Sequence, residues 1–182
     1  LLVVLTQDYD TALMNPPYGS KARMPAAVRD YVRDNYRYAA EYYIAFFEAC
    51  GRLTSDYGRV SMIVPRTFMF KSTFQNFRED FIGDSGSFDF LAEYGNDVLD
   101  NATVRTAGTV VRVGDSGEED PTGTFFRLHD VDTQRKEHEF VNAAFHNDES
   151  TIDRKYTRSV SEFEMIPGSP LSYWAPRSLR SL

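Results

Sequence analysis

The sequence has few of the residues that build covalent or metal-held scaffolds. It contains one cysteine, Cys50, among 182 residues, which excludes an internal disulfide framework. The three histidines are scattered and predict no metal-ligand cluster. No apolar run approaches the roughly 20 residues that cross a bilayer, and residues 1–5 are too short for a signal peptide and lack a basic lead-in. We therefore expect a cytoplasmic protein with no bound metal and no membrane contact.

Lysine is also scarce, so arginine carries most of the positive charge. Asp and Glu total 27 against 20 Lys and Arg, which gives a net charge of −7. Such a surface disfavours non-specific adhesion to polyanions, although net charge bears on solubility rather than on fold. The 42% apolar and 26% charged residues are typical of one globular domain.

Hydrophobic periodicity predicts alternating strands and helices. The apolar run 11–14 stops at Pro16 and Pro17 and predicts a buried strand that ends in a loop. Residues 1–5 are typical of a strand or a helix end, and residues 116–122 of a hairpin or surface loop. Further strands are predicted at 60–64, 88–93, 104–113 and 124–129, and helices at 25–35, 39–53, 74–82 and 135–147. This alternation indicates an α/β fold, a parallel sheet flanked by helices.

The loop after the first predicted strand carries the chemistry. Open α/β sheets bind ligands at the carboxyl ends of their strands. Asn15 has an amide oxygen that accepts hydrogen bonds, while Pro16 and Pro17 lack an N–H and present only carbonyls. Tyr18 adds a flat ring, so the set suits an exocyclic amino group on a planar base. Because Asn and Pro are also ordinary turn formers, a loop without function remains an alternative.

Residues 9–19, Tyr-Asp-Thr-Ala-Leu-Met-Asn-Pro-Pro-Tyr-Gly, resemble motif IV of the N6-adenine DNA methyltransferases. Residues 42–48 with 58–65, 68–78, and 93–95 with 104–107 are similar to the elements that follow this motif. Residues 166–174, with Ile-Pro-Gly-Ser-Pro and Tyr-Trp, resemble the connector of the large methyltransferases of BREX phage-defence systems, the PglX type. The resemblance covers nearly the whole chain. It implies a partial Rossmann-like class I methyltransferase fold, mostly parallel, with an antiparallel strand pair toward the C-terminal edge.

The resemblance also implies a reaction: methyl transfer from S-adenosylmethionine to an adenine flipped out of double-stranded DNA. The side-chain oxygen of Asn15 and the carbonyl of Pro16 are then expected to accept the two N6 protons. Pro17 belongs to the same catalytic corner, and Tyr18 stacks on the base. No covalent intermediate is needed, so Cys50 is not expected to be a nucleophile.

Parts of the family pattern are missing. The Gly-rich cofactor motif belongs upstream of Asn15 and does not occur there, and the target-recognition region belongs downstream. The position beside the flipped base, often aromatic, is occupied here by Leu99. We therefore interpret residues 1–150 as the C-terminal half of the catalytic domain and residues 151–182 as a connector toward the missing recognition region. Such a fragment is expected to be inactive alone and to work with its missing N-terminal half and other defence-system subunits.

Two other functions remain open. The same motif serves amino-group methyltransferases that act on RNA or on protein glutamine, and a non-catalytic remnant that binds partner subunits or DNA is a third hypothesis. Arg29, Arg33 and Arg37, at four-residue spacing, form either a phosphate-facing stripe or a solvated helix face. Arg66 either contacts DNA or caps a strand, with the cap favoured. The histidines His129, His138 and His146 are expected at the surface or in loops.

Overall fold

A six-stranded mixed sheet forms the centre of the computed structural model, which describes residues 6–19, 21–99, 104–114, 117–146 and 151–180. The strands are β1 Tyr9–Met14, β2 Thr54–Pro65, β3 Gly86–Gly95, β4 Thr106–Val113, β5 Thr122–Arg127 and β6 Lys155–Ser159. Their order is β1-β2-β4-β3-β5-β6. β1 pairs in parallel with β2, and β3 with β5, whereas β4 and β6 run antiparallel to their neighbours. The carboxyl ends of β1, β2, β3 and β5 therefore lie at the same edge.

The described residues contain five α-helices, of which three match predicted helices and the two beyond residue 160 were not predicted. They are α1 Ala26–Asn35, α2 Tyr42–Gly51, α3 Lys136–Phe145, α4 Ser161–Glu164 and α5 Arg177–Arg180. The predicted helix at 74–82 is instead a 3-10 turn, Ser72–Phe74, followed by a π-helix, Phe77–Asp84. Its wide turns place Phe77 and Phe81 in a stacked pair with centroids 5.3 Å apart. A 3.6-residue period does not signal such a helix.

The main core lies on the sheet face that α2 and the π-helix cover. Val60, Met62 and Val64 alternate along β2 and are at most 1% exposed, as the period of a strand requires. They pack with Tyr43 and Phe47 of α2 in one hydrophobic cluster. Each large apolar side chain buried this way contributes about 1.5–3 kcal/mol. The predicted apolar face of α2 is confirmed.

The opposite face is covered only in part by the described residues. α3 places Phe140 and Ala143 against Phe126 and Leu128. Over β1 the same face is open, and Leu13 is 80% exposed. The prediction of a buried strand at 11–14 is therefore wrong: Thr11 and Leu13 are exposed and Ala12 and Met14 are half-buried, because β1 is the first strand of the sheet order and only its α2 side is covered.

Residues beyond 150 pack onto the sheet. β6 pairs antiparallel with β5, and Leu171 and Tyr173 are at most 2% exposed. β6 escaped prediction because Lys-Tyr-Thr-Arg-Ser has little apolar content. The division into a catalytic half and a connector at residue 150 stays a prediction. The interpretations of residues 1–5 and of residue 147 lie outside the described residues, as does residue 116 of the loop 116–122.

Candidate active site

The loop 15–19 leaves the carboxyl end of β1 and is held on both sides. Met14 pairs with Met62 of β2, so β1 ends, and the loop begins, a few residues before the carboxyl end of β2 at Pro65. At its far end the backbone N–H of Tyr42 donates to the carbonyl of Gly19 over 3.1 Å. Pro16 is buried and Pro17 is exposed. The loop is therefore a fixed corner between β1 and the α2 region.

The Tyr18 ring is held in place by two neighbours. Its hydroxyl donates to the carbonyl of Ile63 over 2.9 Å, and its ring meets that of Tyr43 edge-on with centroids 6.4 Å apart. Burial raises the pKa of Tyr18, which keeps the phenol protonated and able to donate. Tyr43 is in turn fixed by a 3.2 Å hydrogen bond with Thr67. The ring is half-buried and its position is set before any ligand arrives.

Asn15 is exposed and lines an open cavity of about 510 Å³. Its Oδ1 lies 3.5 Å from the Tyr18 hydroxyl, which is a marginal contact because that hydroxyl already donates to Ile63. Leu13, Phe90 and Tyr94 also line the cavity. The structure thus brings Asn15 and Tyr18 together, places Asn15 beside the cavity, and leaves its amide oxygen available as an acceptor.

A second polar cluster lies at the same edge and was missed by the sequence analysis. Glu93, near the end of β3, is 1% exposed and forms an ion pair with Arg66. Its Oε2 accepts a 2.7 Å hydrogen bond from the Tyr173 hydroxyl, and Oε1 lies 3.6 Å from Nδ1 of His129. The signal in the sequence was a carboxylate inside an apolar strand, which requires partners when buried.

This cluster corrects two residue assignments. Arg66 does not simply cap its strand, because its guanidinium reaches Glu93 across the sheet edge. For His129 the loop position is confirmed, since it lies in the turn after β5, but the side chain is only 24% exposed and so is not fully at the surface, whereas His138 and His146 are exposed. Burial lowers the pKa of His129, as do the positive charges of Arg127, Arg66 and Arg105, while Asp130 opposes them. Burial also raises the pKa of Tyr173 far above its ordinary value, so it remains a donor to Glu93.

In the stripe Arg29, Arg33 and Arg37, which begins on α1, the charges of Arg33 and Arg37 are paired with aspartates. Arg33 pairs with Asp30 over 2.9 Å and with Asp34 over 2.8 Å, and Arg37 pairs with Asp80 over 2.5 Å. These contacts favour the solvated-face interpretation over a phosphate-facing stripe.

The described ranges contain neither a metal-ligand cluster nor a membrane-spanning helix. No three His, Cys, Asp or Glu side chains there converge in a way that could hold a metal ion. None of the helices in those ranges combines the length and the apolar character that a bilayer crossing requires.

The fold matches solved methyltransferase subunits. The M protein of the type I restriction enzyme EcoKI superposes with a TM-score of 0.66 at 13% identity, over 91% of this chain and 43% of that one. The methyltransferase subunit of a type I restriction-modification system from Streptococcus thermophilus superposes with a TM-score of 0.62 at 15% identity, over 94% and 38%. The sheet and its helices therefore define the class I methyltransferase fold.

Sequence comparison narrows the class to a family. The family described as Eco57I restriction-modification methylase matches residues 4–97, and the chain belongs to that family. It is 29% identical to the adenine-specific methyltransferase PglX of Lacticaseibacillus casei (strain Zhang) over 95% of its residues, and 25% identical to the adenine-specific methyltransferase BrxX of Escherichia coli O9:H4 (strain HS) over 94%. The chain spans 14% of the length of each of these relatives. The resemblance to BREX methyltransferases is thereby confirmed.

Proposed function

We propose that this chain supplies the base-binding part of a BREX-type DNA methyltransferase that modifies adenine at N6 (EC 2.1.1.72). The observation that carries the proposal is the Asn15 amide, exposed at the carboxyl end of β1 beside an open cavity, with Tyr18 fixed next to it. Family membership and the adenine-specific relatives support the choice of substrate.

In the proposed mechanism, the chain acts on the acceptor nitrogen. The N6 lone pair is delocalised into the purine, which makes it a poor nucleophile. Asn15 Oδ1 and the Pro16 carbonyl accept hydrogen bonds from the two N6 hydrogens and stabilise the positive charge that develops on N6 as the methyl group is transferred, and one N6 proton then leaves to water. Pro16 and Pro17 restrict the backbone, so the acceptors need little reorganisation. Tyr18 offers its ring to the extruded base, a contact worth about 1–3 kcal/mol.

S-adenosylmethionine supplies the methyl group when bound. The residues present fit a methyl donor of this kind, because the cavity that Asn15 lines is open and would leave room for the donor beside the acceptor nitrogen. We place the main cofactor-binding motif outside these 182 residues, since residues 1–14 contain no Gly-rich turn. Asn15 therefore binds the substrate rather than the cofactor.

The full protein is proposed to act on double-stranded DNA in the cytoplasm and to mark host DNA against phage. Its working partners are the N-terminal methyltransferase half, a target-recognition region and other defence-system subunits. We expect these 182 residues alone to be inactive, because methyl transfer needs donor and acceptor held together.

The proposal is tested with Asn15→Ala in the full-length protein. We expect N6-methyladenine, measured by mass spectrometry of host DNA, to disappear while S-adenosylmethionine binding, measured by calorimetry, is retained. Asn35→Ala is the matched control, because the exposed Asn35 side chain donates to the Tyr31 carbonyl on α1, away from the Asn15 loop. Methylation that persists in Asn15→Ala refutes the role of Asn15, and wild-type activity on RNA or protein glutamine instead of DNA refutes the substrate.

A further inference from the structure

Two arginines and two aromatic rings form a continuous patch beside the Glu93 cluster. The Arg66 guanidinium lies 5.3 Å from the Phe70 centroid, and that of Arg127 lies 5.7 Å from the Trp174 centroid. Phe70 and Trp174 meet edge-on, 5.6 Å apart. Arg105 adjoins them, since its carbonyl accepts the Arg66 backbone N–H over 2.9 Å. We call Arg66, Phe70, Arg105, Arg127 and Trp174 the arginine–aromatic patch.

The patch has more positive charge than its neighbours neutralise. The Glu93 carboxylate forms an ion pair with Arg66 and accepts a hydrogen bond from the Tyr173 hydroxyl. Asp130, the next acidic group, pairs with Arg154. Within the described ranges, neither Arg105 nor Arg127 forms an ion pair, and the buried Nε of Arg127 has no hydrogen-bond partner. Burial lowers the pKa of Arg66, and the nearby charges of Arg105 and Arg127 lower it further while Tyr173 opposes them.

This arrangement differs from that of an arginine with a purely structural role in the same molecule. Arg78 is 3% exposed and donates to four backbone carbonyls, so its donors are satisfied. Arg105 is exposed, and Arg127 is partly so. A cluster of like charges held together without counterions is costly unless an anion completes it.

The patch lies on the edge of the sheet that carries Asn15. Pro65 and Gly95 both pair with Thr106, and Glu93 pairs with Arg127, so the patch residues follow the carboxyl ends of β2 and β5 and precede β4. Strand spacing of about 4.8 Å gives a lateral separation from β1 of roughly 5 Å for Arg66, 10 Å for Arg105 and 20 Å for Arg127. That separation corresponds to a few nucleotides along a DNA strand.

We propose that the arginine–aromatic patch binds the phosphodiester backbone of DNA next to the target adenine. The inference rests on the proposed function and adds the residues that position the strand. Arg105 and Arg127 donate to phosphate oxygens, since a guanidinium offers two parallel N–H groups. The Trp174 ring holds Arg127 in place, so little side-chain entropy is lost on binding. Glu93 keeps Arg66 from competing for the same phosphate.

The test uses the full-length protein, a fragment of host genomic DNA, and a salt series from about 50 to 200 mM. We expect Arg105→Gln to weaken DNA binding about tenfold and to reduce the slope of log Kd against log salt by about 0.9 per lost phosphate contact. Arg127→Gln is expected to do the same, and Arg127→Lys to retain most of the slope. The matched control is Arg59→Gln, which removes the same charge near the opposite end of the sheet, where Arg59 pairs with Asp89 over 2.5 Å.

The possible results distinguish failure of the phosphate-binding patch from failure of the proposed methyltransferase function. If Arg105→Gln and the control have the same Kd and slope, the patch is not a backbone site, whatever the methylation activity. A weaker Kd with an unchanged slope also overturns it, because loss of a phosphate contact must change the slope. If the wild type binds DNA with the predicted slopes but never methylates it, the proposed function fails and the patch stands. Should Arg127→Gln unfold, the exposed Arg105 decides alone.

Discussion

At the scale of single residues, the buried Arg78 guanidinium binds two segments that are distant from each other in sequence. Arg78 donates to the carbonyls of Phe68 and Lys71 on one side and of Gly168 and Ser169 on the other, over 2.5–2.9 Å. Burial lowers its pKa, whereas the nearby Glu79 charge raises it and four carbonyl dipoles stabilise the guanidinium. The side chain therefore attaches residues 168–169 to the sheet domain.

Replacing Arg78 with lysine should release that attachment. A lysine ammonium has at most three donors and no planar fork, so at least one buried carbonyl loses its partner. We expect a local cost of about 3 kcal/mol, seen as roughly 100-fold faster amide exchange at Leu171, whose N–H bonds to the Met69 carbonyl. Arg52→Lys, on the exposed Arg52–Glu48 pair, is the control. Unchanged exchange at Leu171 would show that other contacts hold the segment.

Tyr18 allows its two contributions to be separated. Tyr18→Phe keeps the ring but removes the hydrogen bond to Ile63, a loss of about 1 kcal/mol in loop stability. We expect at most a fivefold fall in the methylation rate of the full-length protein. Tyr18→Ala also removes stacking and should weaken affinity for a mismatched adenine by about 1–3 kcal/mol, measured by fluorescence titration. An equal loss of affinity for the mismatched adenine in Tyr18→Phe and Tyr18→Ala would contradict a stacking role.

At the scale of elements, the β3–β4 connection begins with a backbone conformation that only glycine adopts easily. Gly95 has φ +78°, and a Cβ there would lie 2.8 Å from the Cα and carbonyl oxygen of His129. The close approach brings the end of β3 against the end of β5, where Glu93 and His129 meet. The element boundary thus contributes to assembling the polar cluster.

Gly95→Ala is expected to destabilise the domain beyond the cost of positive φ alone, about 1–2 kcal/mol. Gly117 is a matched control, since its φ is +70° and no atom lies within 4 Å of a Cβ placed there. Thermal unfolding should show a larger drop in Tm for Gly95→Ala than for Gly117→Ala. Equal falls in Tm for the two variants would mean that the His129 backbone moves away from the new Cβ without loss of stability.

At the scale of the whole molecule, the buried cluster around Glu93 makes stability depend on pH. The pKa of His129 is lowered by burial and by Arg127, Arg66 and Arg105, with Asp130 opposing. The contribution of neutral His129 to the free energy of unfolding is therefore complete above its unfolded-state pKa near 6.5, and it is lost as pH falls from there toward the lower folded-state pKa. Acid thus weakens the site edge before it affects ordinary carboxylates.

The expected measurement is a free energy of unfolding that declines below about pH 6.5, with a slope of at most about 1.4 kcal/mol per pH unit from this group. His129→Gln should flatten that part of the profile, because glutamine binds no proton. His138→Gln, on the exposed side of α3, should leave the profile unchanged. A profile that is equally steep in His129→Gln would assign the pH dependence to other groups.

Local patterns in the sequence were enough to predict the α/β alternation, the buried face of α2, the helix after Pro25 and the Asn15–Tyr18 loop at a strand end. Those features depend on residues within a turn or a strand of one another, where periodicity and turn chemistry act directly. The catalytic roles of Asn15, Pro16, Pro17 and Tyr18 remain predictions.

Only the tertiary structure decided which distant residues meet. Glu93 and Tyr173 are 80 positions apart, and Arg78 and Ser169 are 91 apart. The sequence pattern alone contains no signal for either pair. The exposure of Leu13 and the addition of β6 also depended on strand order. The physical reason is that hydrogen bonding and packing partners of buried polar groups, and the strand neighbours in a sheet, are chosen by long-range contacts that no local propensity encodes.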